Sequence, residues 1–355
     1  MNQELNSRMR NINILGVVLV SILNSIIVHA QSYQASNYDG EVFNTTYHIT
    51  FEETLESKER KENWHDSIRK LFKDFDYSLS MFNPKSVISA MNNNNPDARA
   101  NQYVKTVIEK SLEVSRHTSG AFDITVAPLV NLWGFGFKNR EKITAEAVDS
   151  ILQFVGYQKI RLDRKGRLHK QDPRIQLDAS SIAKGYMCDI IGNWLKNKGV
   201  KNYMVEIGGE ITLHGNSPKG FPWRIGINVP EEDIFQRVNG IENILEISEG
   251  GIATSGNYRN FYYQDGKRYA HTIDPKTGYP VQKNILSSTV IASDCITADS
   301  YATAFMVMGV EKALDVLASD NSIMAYFIIA DENSTQKYKV VYSEGLKKML
   351  KNDYK

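Results

Sequence analysis

Asp299 and Thr303 stand four residues apart in the segment Asp294-Cys-Ile-Thr-Ala-Asp-Ser-Tyr-Ala-Thr303. On a helix that spacing projects a carboxylate and a hydroxyl from one face. Two oxygen donors suit a hard cation such as Mg²⁺, which keeps waters and binds substrate phosphates as well. The same residue types also serve as an acid favoured by the helix dipole and a threonine bonded back to its own backbone. A second cluster, Leu177-Asp-Ala-Ser-Ser-Ile-Ala-Lys-Gly-Tyr-Met-Cys-Asp189, reads as a strand ending at Asp178 with small residues opening a helix. Free N–H groups and the positive end of a helix dipole at such a place suit phosphate. Lys184 falls in the first helical turn, where the dipole disfavours a cation unless an anion accompanies it. Capping of the helix by Asp178, Ser180 or Ser181 is the structural alternative.

Two glycine-bearing segments and a histidine segment complete the candidates. In Ser119-Gly-Ala-Phe-Asp-Ile-Thr-Val-Ala-Pro-Leu-Val, Asp123 interrupts apolar residues just after a turn. A small residue and exposed amides at Gly120 and Ala121 let a planar ligand approach the backbone; a helix stop before a buried segment explains the pattern equally. Glu206-Ile-Gly-Gly-Glu210 lies at a strand end, with Ala253-Thr-Ser-Gly-Asn-Tyr-Arg259 further on. Paired glycines serve a tight bulge as readily as a ligand, and two carboxylates at Glu206 and Glu210 do not by themselves specify hydrolysis. His271 heads His271-Thr-Ile-Asp-Pro-Lys-Thr-Gly-Tyr-Pro280. An imidazole titrates near neutrality, which makes it the best general-base candidate.

The elements that must position these groups are legible in the periodicity. Residues 41–51 alternate, with Phe43, Thr45, Tyr47, Ile49 and Phe51 on one face, and predict one strand. Trp64, Ile68, Leu71, Phe72 and Phe75 recur at helical spacing, as do Val104, Val107, Ile108 and Leu112 in a segment stopping near Gly120. Further helices are predicted from Thr144 to Phe154, from about Ser181 to Lys198 before Gly199, and from about Thr297 to Met308. Residues 203–207, 223–227, 287–292 and 324–330 read as strands, and Asp265-Gly266 as a hairpin turn. The order lacks regular βαβ alternation, so the fold class is α+β, with mixed sheets and packed helices.

With 355 residues, 42% hydrophobic and 23% charged, the chain buries a substantial core and is not disordered by composition. A formal net charge of +1 provides no whole-molecule field toward nucleic acid, and no nucleic-acid partner is expected. Its two cysteines, Cys188 and Cys295, lack zinc or CxxC spacing and read as buried thiols. Arg8 and Arg10 precede a mainly apolar stretch from Ile12 to Val28, ending Val28-His29-Ala30-Gln31. This predicts a signal peptide over 1–30, cleaved after Ala30, with an uncleaved anchor as the alternative. No low-complexity linker divides residues 31–355, which read as a single domain.

In their order and wording these segments resemble the ApbE family, the Mg-dependent FAD:protein FMN transferases. The resemblance rests on Gly-Ala-Phe-Asp-Ile-Thr-Val-Ala-Pro-Leu-Val at 120–130, Leu-Asp-x-x-x-Ile-Ala-Lys-Gly-Tyr at 177–186 and Val-Glu-Ile-Gly-Gly-Glu at 205–210. Ala-Thr-Ser-Gly-Asn-Tyr-Arg at 253–259, His-x-Ile-Asp-Pro-x-Thr-Gly-Tyr-Pro at 271–280 and Thr-Ala-Asp-x-x-Ala-Thr at 297–303 extend it. It implies a T-fold-like architecture with FAD between two lobes. It further implies attack of an acceptor protein's Thr or Ser hydroxyl on the FMN phosphate of FAD, assisted by Mg²⁺, with release of AMP. By family position Ser181, Asp299 and Thr303 hold Mg²⁺, and His271 and Asp299 are catalytic. Phe43, Phe82, Ala121, Phe122, Asp123, Asp178, Lys184, His271 and Ile273 line the FAD site, with Lys184 on phosphate and Phe82 on the flavin ring. The acceptor is an exported or membrane redox protein, and the enzyme is periplasmic or attached to the periplasmic face of the inner membrane. An FAD pyrophosphatase or a non-catalytic FAD binder is the alternative. Two segments depart from the family wording: Met-Gly-Thr becomes Phe43-Asn-Thr45, and Leu-Asp-Leu-Gly-Gly becomes Leu177-Asp-Ala-Ser-Ser181.

Overall fold

The computed structural model describes residues 33–53, 63–136, 143–229, 240–257, 261–264 and 267–351. The expected leader over 1–30 and the hairpin turn at Asp265-Gly266 lie outside the described residues. The strands flanking that turn, Phe261–Gln264 and Lys267–Ala270, do pair antiparallel. No helix among the described residues is long and apolar enough to cross a membrane.

Strands β1 (Ala35–Val42) and β2 (Thr45–Glu52) replace the single strand predicted over 41–51. Phe43 and Asn44 break it, with φ of 52° and 59°, a two-residue turn with both central residues left-handed. Asparagine tolerates that region, so it can stand where the family's usual wording has glycine. The alternation expected beyond the turn holds: Tyr47, Ile49 and Phe51 are buried.

Helices α1 (Trp64–Leu79), α2 (Val87–Asn92) and α3 (Gln102–His117) follow, then α4 (Ala127–Leu132) and α5 (Ala145–Leu152). The N-caps are the expected residue types: Asn63, Ser86, Asn101 and Thr144 each accept an amide hydrogen from the first turn. A small hairpin of β3 (Ile160–Leu162) and β4 (Leu168–Lys170) leads to α6 (Ala183–Asn197). Next come β5 (Tyr203–Ile207), β6 (Glu210–His214), β7 (Trp223–Asn228), β8 (Ile241–Ile247) and β9 (Glu249–Gly256). After the 261–270 hairpin (β10, β11), the chain completes β12 (Ile285–Ala292), α7 (Cys295–Met308), α8 (Val310–Ser319), β13 (Met324–Ala330), β14 (Tyr338–Tyr342) and β15 (Leu350–Lys351).

An eight-stranded antiparallel sheet, in the order β1-β2-β5-β6-β9-β12-β13-β14, organises the molecule. Its two faces are both covered. Ile49, Phe51, Val205, Ile207, Ala253, Val290 and Phe327 pack with α1, α3, α6 and α7 in one core. Ile211, Leu213, Ile252, Ile291 and Ile328 face the other way, against Trp223, Ile227, Leu245 and Ile247 of the three-stranded sheet β15-β8-β7. Period-two alternation therefore sends neighbouring residues of one strand into different cores. A third cluster joins α4 and α5 to Ile273 through Leu129, Trp133 and Val148. The architecture is α+β, as the element order implied.

α6 and α7 cross closely and cap each other. A Cβ on Gly185 would sit 2.4 Å from the carbonyl oxygen of Cys295, so only glycine fits there. Gly185 N donates to Asp299 Oδ2 at 3.0 Å. At the opposite end of the contact, Asp189 accepts from Cys295 N at 2.9 Å and Ile296 N at 2.8 Å. Helix α7 is thus fixed to α6 at both ends of their overlap.

Candidate functional site

A cavity of about 790 Å³ opens where the end of the main sheet and the α6–α7 pair meet the α4–α5 cluster and the 271–275 segment. That volume is in the range of small-molecule sites. Eleven of the twelve residues expected to bind FAD or metal or to be catalytic line it. Phe82, Ala121, Phe122 and Asp123 contribute one wall, and Asp178, Ser181 and Lys184 the entry to α6. His271 and Ile273, and Asp299 and Thr303 on α7, close it. Residues separated by more than 200 positions therefore share one chamber.

Phe43 is the exception. It is not among the lining residues; its ring packs against Phe72 and Phe75 of α1 at centroid distances of 5.9 and 5.5 Å. Its left-handed turn conformation takes it off the strand alternation that placed it with Tyr47. The reverse holds for Phe82, which stands at the cavity wall 73% exposed and is not part of the core. An exposed aromatic face beside a cavity suits stacking on a planar ligand.

The amides of Gly120 and Ala121 are not available to a ligand. Gly120 N donates to Ser115 O at 2.6 Å and Ala121 N to Thr118 O at 3.1 Å, closing the C-terminal end of α3. Asp123 has an organising role as well. Its Oδ1 accepts from Thr125 N and Oγ1, and its Oδ2 from Tyr157 N at 2.6 Å. Burial pushes its carboxyl up, against those bonds.

The mouth of α6 matches the expected anion site in part. The helix begins at Ala183, two residues later than predicted, and its N-cap position, Ile182, offers no side-chain bond. Asp178 is instead bent onto Ser180 N at 2.8 Å, and burial pushes its carboxyl up. The amides of Ser181 and Lys184 have no hydrogen-bond partner among the described residues. Two unpaired N–H groups at a helix start are what an anionic oxygen would satisfy. Ser181 is absent from the left-handed residues, so the loss of glycine there brings no backbone strain.

Lys184 has a partner that the sequence did not disclose. Its Nζ lies 3.3 Å from Glu210 Oε1, with the lysine side chain 31% exposed and the glutamate 7%. Burial works against the ammonium, yet the carboxylates of Glu210 and Asp299 outweigh it and hold the lysine above its ordinary value. Burial in turn pushes Glu210 and Asp299 up, against the attraction of Lys184. Glu210 Oε2 has no hydrogen-bond partner among the described residues. Among the described residues two buried carboxyls thus share one cation, Lys184, which leaves the site short of positive charge. The nearest sequence signal for Glu210 was the Gly-Gly before it. Gly208 and Gly209, at φ of 66° and 103°, form the two-residue turn that swings β6 back and delivers Glu210 opposite α6.

The donors around this deficit are carboxylate, hydroxyl and carbonyl. Asp299 uses one oxygen for Gly185 N, and Thr303 Oγ1 lies 3.2 Å from Ser255 Oγ. Among the described residues no group of three or more His, Cys, Asp or Glu side chains has metal-holding geometry. A ligand set drawn from Asp299, Thr303 and a main-chain carbonyl fits a hard, partly hydrated cation and not a soft one.

Known proteins resemble this chain in sequence and in fold. The sequence model of the ApbE family matches residues 43–327. A Haemophilus influenzae protein named FAD:protein FMN transferase is 35% identical over 328 residues, covering 90% of this chain and 94% of that one. A Vibrio cholerae protein of the same name is 37% identical over 304 residues, 84% of this chain and 89% of its own. Among solved structures, the flavin transferase ApbE from Vibrio cholerae superposes with a TM-score of 0.78 at 34% identity. It covers 89% of this chain and 99% of that one. The apo flavinyl transferase ApbE of Pseudomonas stutzeri gives 0.77 at 31% identity, covering 90% and 98%.

Proposed function

The chain belongs to the ApbE family, and from that premise we propose that it transfers FMN from FAD to a hydroxyl of an acceptor protein. One observation carries the reading: the start of α6, whose amides at Ser181 and Lys184 are unpaired among the described residues, lines one cavity of suitable size together with Asp299 and Thr303. A dinucleotide's pyrophosphate needs that combination of N–H donors, a lysine and an oxygen-ligand pair.

In this reading Ser181, Asp299 and Thr303 hold Mg²⁺, which when bound neutralises charge on the phosphoryl oxygens. Lys184, freed from part of its bond to Glu210, meets the pyrophosphate. Phe82 stacks on the isoalloxazine ring, and Ala121, Phe122, Asp178 and Ile273 shape the pocket around it. Asp123 supports that wall by holding Thr125 and Tyr157. The acceptor's Thr or Ser oxygen attacks the FMN phosphorus, the P–O bond to the AMP phosphate breaks, and His271 takes the hydroxyl proton. FMN is left on the acceptor as a phosphoester and AMP departs.

The acceptor is an exported or membrane-embedded redox protein, and the enzyme is exported, either periplasmic or attached to the periplasmic face of the inner membrane. The basic then apolar segment over residues 8–28, followed by Val28-His29-Ala30, supports export.

Incubation of the purified chain with FAD, Mg²⁺ and a threonine-bearing acceptor domain tests the reaction. A flavin-sized mass gain on the acceptor with equimolar AMP is expected. FMN and AMP without labelling would mark an FAD pyrophosphatase, and bound FAD without AMP a binder.

A further inference from the structure

The mutual capping of α6 and α7 sets a register between them. Gly185 meets Asp299 at one end, and Asp189 meets Cys295 and Ile296 at the other. Within this antiparallel overlap Cys188 faces Cys295. Each thiol points at a carbonyl of one of two neighbouring strands, β6 and β9, which pair at Ile211 and Ile252. Cys188 Sγ is 3.2 Å from Glu210 O, and Cys295 Sγ is 3.4 Å from Ile252 O. Both side chains are fully buried, and they are the chain's two cysteines. The backbones cross as closely as the glycine at 185 allows. Cys188 lies one helical turn beyond Lys184, and Cys295 one turn before Asp299.

We propose that Cys188 and Cys295 form a disulfide that clamps α6 to α7 directly behind the site and fixes the separation of Lys184 and Asp299. Closing the bond removes both thiol protons and two electrons. A small-molecule or protein disulfide accepts them and is reduced to two thiols. One cysteine first forms a mixed disulfide with the oxidant, and the other then displaces the oxidant's remaining thiol. Burial pushes both thiols up, so the folded, reduced pair is a poor nucleophile. The bond therefore closes during folding, before the helices seal the pair from solvent, and afterwards resists reduction. In the cell this rests on the exported reading, because oxidising compartments supply the disulfide oxidant. The helix register that pairs the thiols does not depend on it.

The test reduces the purified full chain, unfolds it in urea, and refolds it with oxidised and reduced glutathione. Remaining thiols are then alkylated under denaturing conditions before mass spectrometry. The expected product carries no alkyl group, weighs about 2 Da less than the reduced chain, and yields peptides joined through Cys188 and Cys295. It melts on the order of 5 °C above the reduced form, a difference absent in Cys188→Ala. Two alkylated cysteines, or glutathione adducts instead of the cross-link, overturn the proposal. A second measurement needs no refolding: the full chain is expressed in a bacterium, fractionated, and alkylated at lysis. The cross-link in the exported fraction supports the clamp, and two free thiols there overturn it. Recovery of the chain in the cytosol instead refutes export, and the refolding result alone then decides the pair.

Discussion

At the scale of single residues the site is a charge balance. Lys184 stands between Glu210 and Asp299, and burial raises both carboxyls against the attraction of its ammonium. Replacing the lysine leaves the two acids opposed with no cation. Lys184→Met is expected to raise the KM for FAD at least tenfold, about 1.5–3 kcal/mol for a lost charge-assisted bond, measured by steady-state acceptor labelling. Asp299→Ala is expected to abolish Mg²⁺-dependent AMP release. Unaltered release in that variant would refute the metal assignment. Asp299 and Thr303 were visible in the sequence because helical spacing is a local property. Glu210 was not visible as the partner of Lys184, since their pairing depends on how β6 returns from the Gly208-Gly209 turn.

At the scale of elements, the antiparallel contact of α6 with α7 sets the geometry. Gly185→Ala would drive a Cβ to within 2.4 Å of Cys295 O and 2.8 Å of Asp299 Cβ. The main obstacle is backbone, so relief requires the helices to part. We expect a loss of ~3 kcal/mol or more, read from urea unfolding, together with weaker FAD binding. Asp189 gives the same contact a pH dependence. Burial pushes its carboxyl up to about 7, against the pull of the two α7 amides. Between about pH 4 and 7 the folded protein holds a proton there that the unfolded chain has released, so folded and unfolded states differ in bound protons. That contribution is fully present below pH of about 4 and is lost as the pH rises through 7. Wild type should lose stability relative to Asp189→Asn across this window in a urea series. A difference that stays flat with pH would show the carboxyl titrating at its ordinary value. The sequence showed both helices to within two residues: Gly199 marks the end of α6 locally, while α7 is apolar and buried almost all round. It did not show that they cap each other.

At the scale of the whole molecule, the cavity lies where the main sheet's end and the α6–α7 pair meet the α4–α5 cluster, so ligand binding joins parts that belong to different cores. FAD with Mg²⁺ should therefore stabilise the fold globally. At a hundredfold excess over Kd the gain is about 2.7 kcal/mol, expected as a rise of roughly 5 °C or more in melting temperature. The Mg²⁺-dependent part of that rise should vanish in Asp299→Ala. An unchanged melting temperature with FAD and Mg²⁺ would mean that the cavity does not bind the dinucleotide.

The sequence by itself determined the α+β class, five of the eight described helices, about half of the strands, and the segments that meet at the cavity, because these are written in short-range periodicity and in motif wording. It misplaced what depends on φ and on distant packing. The alternation over 41–51 could not reveal the left-handed turn at Phe43 and Asn44, which sends Phe43 to α1 and away from the cavity. Nor could Gly120 and Ala121 disclose that α3 consumes their amides. The same limit applied to the Asp299 and Thr303 pair with which the sequence began. Their shared face followed from spacing along one helix. Their being set against the start of α6, with Lys184 and Glu210 completing the charge balance, was decided by a helix crossing close enough to require Gly185.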